Sequence, residues 1–298
     1  LNVDLEAYDK ERVDYSNPNL RLKIWEIHHP AIRSDLYGPW HYHEEVEWIL
    51  ILQGSMTMET TQRAYKLEAG DVVLFGSNEI HRSHKHMEQE LTYLVCHVDM
   101  AAFMDQTLMP YFAAWTGRSA NLTRLNSLFS KYPQCRTDIS QLLNDLLEDM
   151  TTKQRGYELS VNATLKRLLY VLVKYDDEHV IVPMDPQFAL KLSPALDYIE
   201  QLLEDKCQLE DVSSKLNYNS SYFAKMFKKA MGITFTEYVQ LRRMKRAEQL
   251  LLTESSSITE ISAKVGFVSP AQFYQLFRRH YGCSPKKYMS RRNFFVGG

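Results

Sequence analysis

Polar and apolar residues alternate at short range from Leu20, where Arg21-Leu22-Lys23-Ile24-Trp25-Glu26-Ile27 sends every second side chain to one face of an extended strand. Further strands are predicted over 46–52, 55–60, 72–75 and 91–98, separated by Gly54, by Ala69-Gly70-Asp71 and by Gly76-Ser77-Asn78. Many short strands with regular turns predict a sandwich or a small β barrel, here placed at residues 1–105. From Ala101 the period lengthens. Phe103, Leu108, Tyr111, Phe112 and Trp115 fall on one helix face before Gly117, and Ile139, Leu142, Leu143, Leu146, Leu147 and Met150 recur at helical spacing. Leu159, Leu165, Leu168, Leu169 and Leu172 do the same after Gly156. Two such helices either cap the barrel or pair with a second copy of the chain. So many leucines on one face favour pairing, so 106–178 is expected to dimerise. The stretch 175–187 loses periodicity and holds Asp176-Asp177-Glu178, Pro183 and Pro186, which predicts a linker, placed at 179–190.

The remaining third is helical and repeats itself. Ser193-Pro194 is a helix start, with a hydroxyl to cap orphan N–H groups and a proline at the first position; it predicts a helix to about Asp205 that buries Leu196, Ile199, Leu202 and Leu203. Over 258–288, Ile258, Ile261, Ala263 and Val265 mark a short helix that Gly266 stops. Ser269-Pro270 then opens a second, which turns Phe273, Leu276 and Phe277 inward and Ala271, Gln272, Gln275, Arg278 and Arg279 outward. An earlier stretch repeats this arrangement: a short helix from Leu209 to Leu216, a turn at Asn217-Tyr218, and a second helix from Asn219 to Lys229. Phe223 matches Phe273, Phe227 matches Phe277, Lys228-Lys229 matches Arg278-Arg279, and Gly232 matches Gly282. The reading is two helix-turn-helix units at a period of about fifty residues. Between them 234–252 predicts one unbroken helix, with Tyr238, Leu241, Met244, Ala247, Leu250 and Leu251 on its apolar face and Arg242, Arg243, Lys245 and Arg246 around it. Its length of about 28 Å, at ~1.5 Å per residue, suits two recognition helices set near the ~34 Å spacing of major-groove faces.

Charge distribution supports this reading better than net charge does. The whole chain carries −2, but from residue 188 onward seventeen Lys and Arg stand against ten Asp and Glu, so the rest is acidic. A basic third joined to an acidic remainder fits a polyanion-binding surface tethered to something that does not itself bind DNA. The four cysteines, Cys96, Cys135, Cys207 and Cys283, show no paired spacing and predict reduced thiols. No apolar run reaches transmembrane length and no signal-peptide pattern is present, which predicts a cytoplasmic protein with no membrane partner.

The candidate chemistry of the first domain lies in His41-Tyr42-His43-Glu44-Glu45-Val46-Glu47. With a period of two, His41, His43, Glu45 and Glu47 would share a strand face, joined by His81. Such a set can hold a divalent metal, can line a small-ligand pocket without one, or can be hydrogen-bonded filling. The pocket reading is preferred, with Trp40, His41, His43, Glu47 and His81 as ligand-binding residues and no metal, cofactor or catalytic residue. Trp25, Trp40 and Tyr42 are nearby aromatics able to stack on a sugar ring. His84 and His86 are expected in a solvated turn.

The spacing of His41, His43, Glu47 and Gly54, followed by Gly70 and His81, resembles the cupin superfamily. Gly76, Asn78 and Lys85 stand where its second motif has proline, glycine and asparagine, departures that bear on metal binding more than on fold. A metal-dependent cupin enzyme fused to a DNA-binding domain is the alternative that this resemblance leaves open. Over about 190–290 the chain resembles the AraC/XylS family of bacterial transcription regulators. The matching positions are Tyr238, Arg242, Ala247, Leu250-Leu251, Ile258, Ile261-Ser262, Val265-Gly266-Phe267, Phe273, Phe277, Gly282, Ser284-Pro285 and Tyr288; Ser213 departs from the common alanine. The resemblance implies a seven-helix DNA-binding domain at 191–290, followed by a tail at 291–298. It also implies that a cupin-like sensor precedes that domain and that two successive major grooves of double-stranded DNA are read per subunit. A sugar or related metabolite as effector, activator function, homodimerisation and contact with RNA polymerase follow as expectations. Resemblance and outward orientation together select Ser220, Ser221, Ala224 and Lys225 in the first unit, and Ala271, Gln272 and Gln275 in the second, as base readers. Lys228, Lys229, Arg278 and Arg279 are assigned to phosphates.

Overall fold

Short-range alternation in the first hundred residues becomes ten strands in the computed structural model, which describes residues 8–15, 17, 20–31, 34–87, 89–103, 108–116, 121–281 and 283–290. In chain order the strands are β1 (Asp9–Lys10), β2 (Leu22–His29), β3 (Leu36–Tyr37), β4 (His41–Tyr42), β5 (Val46–Gln53), β6 (Ser55–Thr60), β7 (Ala64–Glu68), β8 (Val72–Phe75), β9 (His81–Lys85) and β10 (Leu91–Val98). The expected barrel is, among the described residues, two separate sheets. One runs β1-β4-β9-β6-β7, with β3 also paired to β9, and the other runs β2-β10-β5-β8. Gly54 makes the corner between them. The chain passes from β5 in one sheet to β6 in the other at this single residue, whose φ is +81°, and a Cβ there would lie 2.1 Å from the Glu90 carbonyl oxygen. Only glycine fits such a turn.

The sheets share a core of Ile49, Ile51, Met56, Met58, Leu67, Val73, Phe75, Leu91, Tyr93 and Val95. On β5 the intervening residues Val46, Trp48 and Leu50 are equally buried, so this strand reads in the sequence as a continuous apolar run, the mark of burial on both faces. Helices α1 (Met100–Phe103), α2 (Phe112–Thr116), α3 (Asn126–Lys131), α4 (Pro133–Thr152) and α5 (Tyr157–Tyr175) follow. Here α3 and α4 lie against β8, and α4 also against β2. Asn126 clamps the edge strand: its Oδ1 accepts from the Leu74 backbone N–H at 2.7 Å and its Nδ2 donates to the Leu74 carbonyl at 2.9 Å. An edge closed in this way is protected from pairing with other chains. Ile139, Leu143, Leu146 and Met150 of α4 and Val161, Leu165, Leu168, Leu169 and Leu172 of α5 are buried, and the two helices pack on each other. The leucine stripes therefore have partners within the chain. Leu159 departs from its expected place on the buried face and is 78% exposed. Gly117 lies outside the described residues.

The chain divides into two compact units, the first holding the strands with α3 to α5. The second holds the short 3-10 turn Met109–Tyr111 together with α6 (Pro186–Gln201), α7 (Leu209–Lys215), α8 (Ser220–Met231), α9 (Phe235–Thr253), α10 (Ile258–Lys264), α11 (Pro270–Tyr281) and α12 (Pro285–Met289). The first of these helices starts at Pro186 rather than Pro194, so part of the stretch expected as linker is helical. Asp185 caps it through Gln187 N–H, and Pro194 sits inside. Both Asp185-Pro186 and Ser193-Pro194 carry the cap-and-proline signal, and the earlier one operates. Thr234 with Glu237 and Ser257 with Glu260 form capping boxes at α9 and α10. Phe223, Phe227, Phe235 and Tyr238 pack ring against ring beneath α8. Met244, Ala247 and Leu251 of α9 join Ile261, Val265, Phe273 and Phe277 in a second core. Thus α9 supports both helix-turn-helix units. Gly282 lies outside the described residues.

Candidate functional site

Four of the five residues expected to bind an effector converge between the sheets. Glu47 is on the core-facing side of β5 with Ile49 and Ile51, and its register partners are Phe75 on β8 and His97 on β10. His41 of β4 and His81 of β9 are themselves register partners. Glu47 Oε2 lies 2.7 Å from His81 Nε2 and 3.2 Å from His43 Nε2, and Oε1 lies 3.4 Å from His97 Nε2. One donor atom from each of His41, His43, Glu47 and His81 lies within 4.8 Å of the others.

The single strand face predicted for His41, His43, Glu45 and Glu47 does not form. The chain leaves the strand after Tyr42 and re-enters it at Val46. In the bend the His43 carbonyl accepts from Asn78 N–H at 2.7 Å, and His43 Nδ1 lies 3.0 Å from the Glu45 carbonyl. Glu45 is thereby turned toward the Tyr15 hydroxyl, which donates to it, while His43 and Glu47 stay together. Burial would raise the Glu47 carboxyl, but the His81 charge and the contacts of His43, His81 and His97 hold it well below the ordinary range. Burial opposes protonation of His43, and Glu47 outweighs it, raising His43. Burial and the neighbouring His81 lower His41. The cluster thus holds a buried carboxylate among four imidazoles.

Three imidazoles and a carboxylate are also a donor set suited to a divalent first-row cation. His81 Nε2, although close to Glu47, is off the hydrogen-bonding angle and is left without an aligned partner, as is His97 Nδ1. The residues present fit a metal.

Trp40 is set apart from the cluster. Its ring lies under the Arg82 guanidinium, 4.5 Å away, and Arg82 alternates with His81 along β9, so it faces the other way. The aromatics at the cluster are Phe75, stacked on His81 at 4.6 Å, and Trp25, which meets His97 edge-on at 5.2 Å. His97 carries no local signal in the sequence; only the pairing of β10 with β5 brings it to Glu47. Lys85, in place of the motif's asparagine, reaches His29 Nε2 at 2.6 Å, and burial lowers both groups. His84 and His86 are not in a solvated turn: His84 belongs to β9, and both rings are partly buried.

In the second unit, the aromatic layer turns one face of each recognition helix outward. Ser221, Lys225, Lys228 and Lys229 of α8 are exposed, as are Ala271, Gln272, Gln275, Arg278 and Arg279 of α11; Ala224 is half-buried. Ser220 differs, because its hydroxyl lies 2.9 Å from that of the buried Ser213 and ties α8 to α7. Tyr222, Tyr274 and the fully exposed Val268 share these surfaces and were not among the base readers expected from the sequence. Asn217 (φ +58°) and Gly266 (φ +81°) make the two turns, and the second turn is one residue longer, Val268 being the addition. At Gly266 a Cβ would lie 2.2 Å from the Leu203 carbonyl oxygen and 2.7 Å from Arg243. Arg243 donates to the Leu203 and Asp205 carbonyls and Arg242 pairs with Glu200. These contacts hold the two α9 arginines against the start of the unit.

Residues 28–169 match the AraC-like ligand binding domain and residues 212–291 match a helix-turn-helix domain. The HTH-type transcriptional regulator YdeC of Bacillus subtilis is 24% identical over 262 residues, covering 85% of this chain and 86% of that protein. The lactose operon transcription activator of Staphylococcus xylosus is 25% identical over 256 residues, covering 83% and 84%. The crystal structure of the C-terminal domain of the two-component response regulator yesN from Fusobacterium nucleatum is 36% identical, covering 32% of this chain and 93% of that one, with a TM-score of 0.31. No described helix is long and apolar enough to cross a membrane. With a ligand-binding domain of AraC type ahead of two helix-turn-helix units, the chain belongs to the AraC family of transcriptional regulators.

Proposed function

We propose that α8 and α11 enter two successive major grooves of double-stranded DNA, and that base choice resides mainly in Gln272 and Gln275. The observation that carries this is the pair of recognition helices whose phenylalanines are buried while their polar and basic faces stand in solvent. Glutamine bonds bidentately to adenine, lysine favours guanine, and alanine offers only a methyl contact, so α11 has the greater hydrogen-bonding capacity. Lys228, Lys229, Arg278 and Arg279 hold phosphates.

A small molecule, a sugar or related metabolite, binds beside Glu47, with His41, His43, His81, His97 and Trp25 around it. It acts by its differential affinity for two arrangements of the protein. The protein works in the cytoplasm as a homodimeric activator that contacts RNA polymerase, and it is not an enzyme. Support for pairing comes from α5, where Leu159, Ala163 and Tyr170 form an exposed stripe at helical spacing. Footprinting on DNA upstream of its own gene, with and without a panel of sugars, tests the reading. A protected site whose occupancy changes with one sugar is expected; no protection at any effector concentration overturns it.

The convergence of one donor atom from each of His41, His43, Glu47 and His81 within 4.8 Å favours a second reading for the same cluster, in which these residues hold a divalent metal. Such an ion would supply a Lewis acid able to anchor hydroxyl or carboxylate oxygens of the bound molecule. Elemental analysis of protein purified without chelators separates the two, since stoichiometric metal lost in both His41→Ala and His81→Ala supports the second.

A further inference from the structure

The face of β9 opposite the Glu47 cluster carries its own set of ligating side chains. Successive residues of a strand point to opposite sides, so His84, like Arg82, is turned away from His81. There His84 Nε2 lies 2.8 Å from Asp35 Oδ2, and the His86 ring meets the His84 ring edge-on at 4.5 Å. One donor atom from each of Asp35, His84 and His86 lies within 4.8 Å of the other two.

Each of these groups is also held by a further contact. The Met87 backbone N–H donates to Asp35 Oδ1 at 2.9 Å, leaving Oδ2 to face the histidines. Tyr37 stacks on His84 at 3.9 Å, and His86 Nε2 lies 3.0 Å from Thr57 Oγ1. Partners of this sort, which fix the ring and carboxylate without taking every donor atom, are what orient ligands in metal sites. We propose that Asp35, His84 and His86 form a divalent transition-metal site on the outer face of the six-stranded sheet, distinct from the Glu47 cluster. Two imidazoles and one carboxylate suit zinc, cobalt or nickel, with the remaining positions open to water. Ligand atoms around a tetrahedral zinc stand roughly 3.4 Å apart, as bonds of ~2.1 Å require. The 2.8 Å pair of His84 and Asp35 would therefore open slightly around the ion, an adjustment that partly exposed side chains make without disturbing the core.

The test uses the full chain, stripped with chelator and titrated with Co²⁺ followed by visible absorption, then with Zn²⁺ by calorimetry. Asp35→Asn keeps the Met87 hydrogen bond and His84→Gln keeps a polar side chain, so both variants are expected to fold, as tryptophan fluorescence checks. Each is expected to weaken one binding event at least tenfold. The double variant His41→Ala/His81→Ala should leave that event unchanged. Unaltered metal affinity in Asp35→Asn and His84→Gln overturns the proposal, as does loss of all binding in His41→Ala/His81→Ala alone.

Discussion

Glu47 is 5% exposed and enclosed by His43, His81 and His97, whereas Lys228, Lys229, Arg278 and Arg279 all stand in solvent over a layer of buried phenylalanines. The first unit thus encloses charge and the second displays it. A buried ion cluster is an expensive way to stabilise a domain, and apolar residues of equal volume would often do as well. Its presence between the sheets therefore supports a role in recognition. Among the described residues of the second unit the cores are mainly apolar, with Ser213, Ser262 and one charged group, Glu248, which accepts from the Tyr281 and Tyr288 hydroxyls. The charge outside is available for phosphates, where neutralisation releases counterions.

This contrast predicts effects of different size and kind. All four tryptophans precede Pro186, so their fluorescence reports on the first unit alone. Glu47→Ala removes the centre of the buried cluster and is expected to cost about 3–5 kcal/mol, because the histidines lose their counter-charge. Its unfolding midpoint in urea, read by tryptophan fluorescence, should fall sharply, and an unchanged midpoint would mean the cluster is not coupled to the fold. Gly266→Ala is expected to cost roughly 2–4 kcal/mol in the second unit, combining left-handed strain with a backbone clash. Circular dichroism should register that loss while the tryptophan transition stays in place.

Smaller effects follow at the DNA face. Gln272→Ala and Gln275→Ala should each remove about 1–3 kcal/mol of discrimination between preferred and substituted sites. Lys228→Ala should instead weaken all sequences alike and reduce the salt slope by about 1. Gel shifts at several salt concentrations distinguish these outcomes. Equal loss on all sequences from all three changes would remove the base-reading assignment.

The smallest effect is pH dependence in the first unit. The raised His43 contributes stability that is full below its ordinary value of ~6.5 and lost as pH rises through its folded value. The depressed Glu47 contributes above its ordinary value of ~4.3 and loses that contribution only as pH falls through its folded value. The lowered His41 has the opposite sign to His43, opposing folding as pH drops below ~6.5. Of these three groups only His43 acts as pH rises above ~6.5, and the buried thiols of Cys96 and Cys135, both raised by burial, add a loss of the same sign in the alkaline range. The tryptophan melting temperature in chelator should therefore decline as pH rises above ~6.5, and His43→Gln should reduce that decline on its near-neutral side.

Much of this was legible in the sequence because it is local. The phenylalanine spacing, the Gly266 stop and the Ser269-Pro270 start lie within one motif, and a second copy confirms their register. The histidine set was legible as a composition and spacing, but its geometry was not. A bend at 43–45, held by Asn78, withdrew Glu45, and strand pairing across distant sequence added His97. The start of α6 was misplaced because two identical cap signals compete and packing decides between them. Arg242 and Arg243 appear in the sequence only as basic residues around the 234–252 helix, and tertiary contacts with Glu200 and Leu203 show what holds them. Asp35 joins His84 and His86 across an equally long stretch of sequence.

The most direct test is selection of the full chain on random double-stranded DNA, repeated with the Gln272→Ala/Gln275→Ala double variant. Each subunit is expected to enrich two sequence blocks about one helical turn, ~10 base pairs, apart. The more strongly constrained block should lose its preference in the variant while the other persists. Enrichment of no sequence, of a single block, or of a pattern that the double variant leaves intact would contradict the account.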